Sequence, residues 1–151
     1  MNLAQFQPDI PQNTGTLLRM CACLDIHADI IEPCGFVFSS KHLRRSGMDY
    51  LDLAEVTRHT SWTEFRQQRQ LDEGRRVVLL TTKADELYTG FRFQPDDVLL
   101  LGSESTGAPA YVHDVVDARI TIAMADNTRS LNIAVAAAMV VGEALRQTRE
   151  L

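Results

Sequence analysis

Over residues 99 to 109, LLLGSESTGAP, three leucines run into Gly102, Ser103, Glu104, Ser105, Thr106, Gly107 and Pro109. Hydroxyls, a carboxylate and glycine-freed backbone can hold a polar ligand, and the spacing narrows which one. A phosphate loop of the form G-x-x-x-x-G-K-[ST] needs a lysine and a hydroxyl after its second glycine, where Ala108 and Pro109 stand instead. The dinucleotide fingerprint G-x-G-x-x-G needs a glycine at the position of Glu104. The hydrolase elbow G-x-S-x-G fits neither Ser103 nor Ser105. Metal chemistry has no better footing. Cys21, Cys23 and Cys34 lack C-x-x-C spacing, and His27, His42, His59 and His113 are scattered. Surface or hydrogen-bonded histidines, reduced thiols, a cytosolic protein and no metal are expected.

Two further stretches carry polar groups at similar density. PDIPQNTGTLLR sets Asn13, Thr14 and Gly15 at a helix entry, with Arg19 a turn later, and IAMADNTRSLN runs from Ile122 to Asn132. Taken singly, each reads as a cap or a turn. As a set they make a candidate site, provided the elements around them bring them together.

Strands are expected at Asn2–Phe6, Ala28–Glu32, LAEVT, RVVLLTT, DVLLLG and ARITIAM. Helices are expected from Asn13 to Leu24, over SSKHLRRSG with Gly47 as its stop, from the S-x-x-E box at Ser61–Glu64 to Gly74, and from Ser130 to Arg149. RVVLLTT and DVLLLG lack alternation, as strands covered on both faces do. Alternating strands and helices predict an α/β fold, a mainly parallel sheet flanked by helices, in one domain spanning residues 1 to 151. In such a sheet, loops at the carboxyl ends of the strands share one rim, where ligands bind. All three polar stretches follow a strand and precede a helix.

A 151-residue chain that is 45% hydrophobic and 23% charged has the composition of a soluble globular protein. The start, MNLAQFQPDIPQNTG, lacks a signal-peptide pattern. The apolar run IAVAAAMVVG is ten residues long, against the roughly 18 of a membrane span. The net charge of −5 argues against indiscriminate nucleic-acid binding. Between Lys41 and Arg76, however, eight cations face six carboxylates, and thirteen of the chain's fifteen cations are arginine. Arginine suits bidentate phosphate recognition; a solvated face is the competing explanation.

The ordered set PDIPQNTGTLLR, IIEPCGF, KHLRRSGMDY, VTRH, LLTTK, GSESTGAP and RSLNIAVAAAMVVGEALRQ resembles the SPOUT superfamily of RNA methyltransferases over essentially the whole chain. Within it, the resemblance is to small bacterial enzymes that methylate the ribose 2′-hydroxyl of the wobble cytidine or uridine of tRNA. That implies a deep trefoil knot in the C-terminal part of the sheet and S-adenosylmethionine as methyl donor. By position, Leu80, Gly102, Ile122 and Ser130 become the cofactor contacts, with Met124 and Leu131 beside them. Much of this contact is expected through main chain, with Gly102 letting backbone approach closely.

The resemblance places Arg19 nearest the reacting hydroxyl, with Asn13 and Asn132 fixing the loops or the ribose. Arg129, Lys41, Arg44 and Arg45 are the expected RNA contacts on the tRNA anticodon stem-loop. Arginine, with a pKa above about 12, is a poor base and better suited to orienting a phosphate and the hydroxyl. Three positions depart from the family pattern: Thr106 where arginine is frequent, Ala108 for leucine and Ala123 for proline.

A homodimer is also expected. The final helix offers Ala134, Ala136, Ala137, Ala138 and Gly142 for close approach, with Leu131, Val135 and Met139 as anchors. The competing reading is a non-catalytic α/β module that binds an adenosyl ligand or a protein partner.

Overall fold

The computed structural model describes residues 1–149, with side chains given for all but residues 45–48. Strands β1 (Asn2–Phe6), β2 (His27–Ile31), β3 (Val56–His59), β4 (Val77–Leu80), β5 (Val98–Leu101) and β6 (Ala118–Ile120) form one sheet in the order β3-β2-β1-β5-β4-β6. All five pairings are parallel. The helices are α1 (Pro11–Leu24), α2 (Ser40–Gly47), α3 (Trp62–Phe65), α4 (Ala110–His113) and α5 (Ile133–Thr148).

The apolar runs follow from burial on both faces. Successive strand residues point to opposite sides. In β5, Leu99 and Leu101 therefore join one core while Val98 and Leu100 join the other. In β4, Val78 parts from Val77 and Leu79 in the same way. The first core packs under α1 and α5, through Leu17, Leu18, Cys21, Ala137, Val140, Val141 and Ala144. The second is closed by Phe65 and Val112 from α3 and α4.

Several boundaries differ from the expected ones. Helix α1 starts two residues early because Pro11 is pre-set for a first helical turn. Within LAEVT, Leu53 ends a 3₁₀ turn (Met48–Leu53) and is well exposed, and the strand begins only at Val56. The ARITIAM strand closes after Ile120, and α5 begins at Ile133, capped by Asn132, three residues after Ser130.

The Ser61 box forms, with Ser61 Oγ accepting from Glu64 N–H at 3.1 Å, while the Glu64 carboxylate reaches Thr60 rather than Ser61. Beyond Phe65 the helix widens into a π-helical segment, Arg66–Asp72. From it Arg69 reaches down to the fully buried Asp29 of β2, with Nη2 and Nε 2.8 and 3.1 Å from Oδ1. His59 Nε2 and Asn2 Nδ2 complete the shell of Asp29 at 2.8 and 3.0 Å.

Candidate active site

The order of the sheet reverses direction between β1 and β5, and loops leaving the carboxyl ends of strands beside such a point form a crevice. Here the crevice is a cavity of about 500 Å³, within the range of small-molecule and cofactor pockets. Four loops build it: those after β1, β4, β5 and β6.

The loop after β5 is closed on itself. Ser103 N–H donates to Gly107 O at 3.1 Å and Gly107 N–H returns to Ser103 O at 2.7 Å, with Gly107 at φ +69°. A Cβ on Gly102 would lie 2.7 Å from both Ala108 N and Gly107 C. Gly102 does permit a close backbone approach, as expected, but the backbone that approaches is the returning strand of its own loop. The loop after β4 is pinned to the segment after β6, with Thr121 N–H donating to Glu86 O at 2.8 Å and Tyr88 N–H to Thr121 O at 2.9 Å. Thr128 Oγ1 donates to Ala125 O at 2.7 Å, folding the last loop without the proline missing at Ala123.

Leu80, Gly102, Ile122, Met124, Ser130 and Leu131 all line this cavity, although they come from three separate loops. Asn13 and Asn132 line it too. Asn132 Oδ1 caps α5 by accepting from Ala134 and Val135 N–H at 2.9 and 3.3 Å, and its Nδ2 donates to Asn13 Oδ1 at 3.1 Å. Asn132 thus uses its polar groups to fix loops. The Asn13 amide nitrogen keeps donor capacity for a ligand.

Arg19 is not among the lining residues. It lies on the exposed side of α1 with its guanidinium 5.0 Å from the centre of the Tyr50 ring. Arg129, Lys41 and Arg44 are exposed and also outside the cavity, and the side chain of Arg45 lies outside the described residues.

Most other cations of the arginine-rich stretch are engaged internally: Arg58 with Glu32, Arg69 with Asp29 and Glu73, Arg75 with Glu73, Arg76 with Asp97. Of the expected phosphate contacts, the exposed cations of α2, Arg19 and Arg129 are outside these ion pairs.

Sequence reasoning missed Thr81, Thr82, Lys83, Glu104 and His113 as lining residues. Their signal was positional: each sits just beyond a strand on the rim, or in the short helix that follows. His113, expected to be a surface or satisfied histidine, borders the cavity. Desolvation, with Arg119 and Lys83 adding repulsion, holds its pKa below the usual value. Apolar walls (Leu80, Ile122, Met124, Leu131) with hydroxyls and main-chain groups at the rim suit an adenosyl group with a polar tail.

The model of the SpoU rRNA methylase family matches residues 1–142. The chain is 59% identical over 149 residues to a tRNA (cytidine(34)-2′-O)-methyltransferase of Beijerinckia indica, covering 99% of this chain and 92% of the relative. It is 38% identical to the Escherichia coli K12 protein of the same name, covering 97% and 93%. Among solved structures, one concerning the 2-OH methylation of C/U34 on tRNA superposes with a TM-score of 0.89 at 36% identity, covering 97% and 94%. The SpoU methyltransferase AviRb from Streptomyces viridochromogenes, in complex with AdoMet, superposes with a TM-score of 0.87 at 25% identity, covering 97% of this chain and 60% of that one.

Proposed function

The chain belongs to the SpoU rRNA methylase family, and from that premise we propose that it transfers a methyl group from S-adenosylmethionine to the ribose 2′-hydroxyl of nucleotide 34, the wobble cytidine or uridine of tRNA. The observation that carries the reading is the convergence of Leu80, Gly102, Ile122, Met124, Ser130 and Leu131 on one rim cavity. The donor set fits the cofactor. The apolar side chains would flank an adenosyl group, and Ser130 with the neighbouring main chain would hold its polar ends.

Bound S-adenosylmethionine supplies a methyl group already activated by the sulfonium charge. What remains for the protein is alignment and removal of one proton. The Asn132–Asn13 bond locks the first loop to the start of α5, so the donor and acceptor arms of the site move together. In this reading Asn13 Nδ2 orients a ribose oxygen. Arg19, permanently charged, orients the RNA phosphate and hydroxyl instead of serving as a free base. Lys41, Arg44, Arg45 and Arg129 hold the anticodon stem-loop through its backbone.

The active unit in this reading is a homodimer. Within one chain Arg19 rests on Tyr50 and not along the cavity, which favours a site completed by Arg19 of a second copy. On α5, Val135, Ala138, Met139 and Gly142 are exposed, whereas Ala137 belongs to the core and Ala136 to the cavity; Leu131, just before the helix, is exposed but lines the cavity as well. The exposed set is the one available to a partner. The same reading includes the C-terminal trefoil knot, one catalytic domain and action in the cytoplasm.

Methyl transfer from labelled S-adenosylmethionine to bulk tRNA, followed by individual tRNAs, tests the proposal. Label is expected on the 2′-oxygen of nucleotide 34. Cofactor binding with no transfer to any tRNA would overturn it in favour of a non-catalytic adenosyl-binding module.

A further inference from the structure

Glu104 borders the cavity, yet its carboxyl group engages the first loop: Oε2 accepts from Asp9 N–H at 2.9 Å, tying together residues 95 apart in sequence. Asp9 is confined from its other side. Gly35 N–H donates to Pro8 O at 2.9 Å, and a Cβ at Gly35 would lie 2.6 Å from Asp9 Cβ. Asp9 Oδ1 is buried and receives no hydrogen bond from any described group. The carboxyl group within reach of Asp9 is that of Glu104. Two ionised carboxylates there would repel, and neither would offer a donor; one proton on Glu104 gives the buried oxygen its missing partner.

We propose that Asp9 and Glu104 act as a positioning pair that shares one proton and clamps the first loop, with Asn13 and the start of α1, to the glycine loop of the cavity. Burial pushes the Glu104 carboxyl above its ordinary range; the bond from Asp9 N–H opposes this, and the Asp9 carboxyl adds to it. Burial opposes ionisation of Asp9 as well, but the polar side chains of Ser105, Glu104 and Ser103 beside its carboxyl outweigh it and hold Asp9 below its usual value. The clamp is therefore complete between the depressed Asp9 and raised Glu104 values. It weakens as pH rises through the latter.

The other titratable groups facing the pair are few. From the loop after β2 comes the Cys34 thiol, pushed up to about 11 by burial and by Glu32, with the Glu32–Arg58 ion pair behind it. Lys83 and His113 stand on the cavity lining. The Cys34 thiol, held that high, stays protonated across the neutral range, so the pair's own proton dominates there once His113 is neutral.

The catalytic consequence rests on the methyltransferase reading, whereas the clamp does not. Two readouts keep them apart: the pH profile of kcat for tRNA methylation, and the unfolding midpoint as a function of pH. Glu104→Ala is expected to lower kcat about 10- to 100-fold through misplacement of the first loop. Glu104→Gln, whose amide donates to Asp9 and whose carbonyl accepts from Asp9 N–H, should recover most of that loss. It should also remove the alkaline limb expected of the native enzyme, in both kcat and the unfolding midpoint.

If Glu104→Gln were as slow as Glu104→Ala while binding S-adenosylmethionine normally by calorimetry, the charged carboxylate would be needed and the shared proton wrong. Identical pH dependence of unfolding in the native chain and the Glu104→Gln variant would overturn the pair even if methylation were never observed.

Discussion

Gly102 illustrates how a residue visible in sequence acquires its reason only in three dimensions. The glycine marks a loop where backbone comes close, but its Cβ position is occupied by Gly107 and Ala108 of the same loop, at 2.7 Å. Even Gly102→Ala must open that loop, at a cost of about 1–3 kcal/mol for a misfit of this kind. The expected result is a lowered unfolding midpoint together with loss of S-adenosylmethionine affinity in calorimetry. Normal stability with lost affinity would instead mean that the methyl occupies ligand space. Glu104 was less legible, because in sequence it served to exclude a dinucleotide loop. Its partner Asp9 is 95 positions away, and no local spacing announces such a pair.

At the level of elements, the sheet was readable because β4 and β5 carry unbroken apolar runs, which only burial on both faces explains. The π-helical segment was not readable. It depends on Arg69 descending to Asp29, a tertiary demand absent from the local pattern. Desolvation opposes the Asp29 charge, but hydrogen bonds from His59, Arg69 and Asn2 outweigh it and hold its pKa below the ordinary carboxylate value. The stability this provides is present above the unfolded value near 3.9 and is lost as pH falls through the depressed folded value. Acid unfolding followed by circular dichroism should therefore shift and flatten in Asp29→Asn. That variant also leaves Arg69 with Glu73 as its remaining carboxylate, 2.7 Å from Nη1, so the loss should stay below the about 3–5 kcal/mol of a buried charge left wholly unpaired.

Asn132→Ala is milder, removing a helix cap worth about 0.5–2 kcal/mol. It also cuts the tie to Asn13. Turnover should fall by more than the stability loss accounts for, measured as kcat at a temperature where the variant is fully folded.

For the whole molecule, the charge pattern changed meaning once folded. Arginines that suggested an RNA surface are largely committed to Glu32, Asp29, Glu73 and Asp97. The exposed cations of α2 and Arg129 remain for the nucleic acid. With a net charge of −5, one copy presents a meagre basic surface, and two copies would pool theirs. Val135→Glu, in the first turn of the exposed α5 face, is expected to yield monomers in sedimentation at micromolar concentration and to abolish methylation while the fold persists. Heterodimers that combine an Arg19→Ala chain with a Gly102→Val chain should regain activity, because one composite site stays intact. Failure in verified heterodimers would confine each site to one chain.

The sheet order has one more consequence, which belongs to time. Of the sheet's strands β1 is made before the others, and one of its edges is covered by β2 soon afterwards. Its other edge waits for β5, whose first residue is Val98. At roughly 5–20 residues per second of synthesis, that edge stays bare for about 5–18 seconds. During that interval the growing polypeptide carries an open hydrogen-bonding ladder at what will become the centre of the sheet, an invitation to any neighbouring strand. The segments after β5 and β6 that build much of the cavity are still to be synthesised. The cell must therefore shelter this chain through most of its birth before any pocket for a ligand exists.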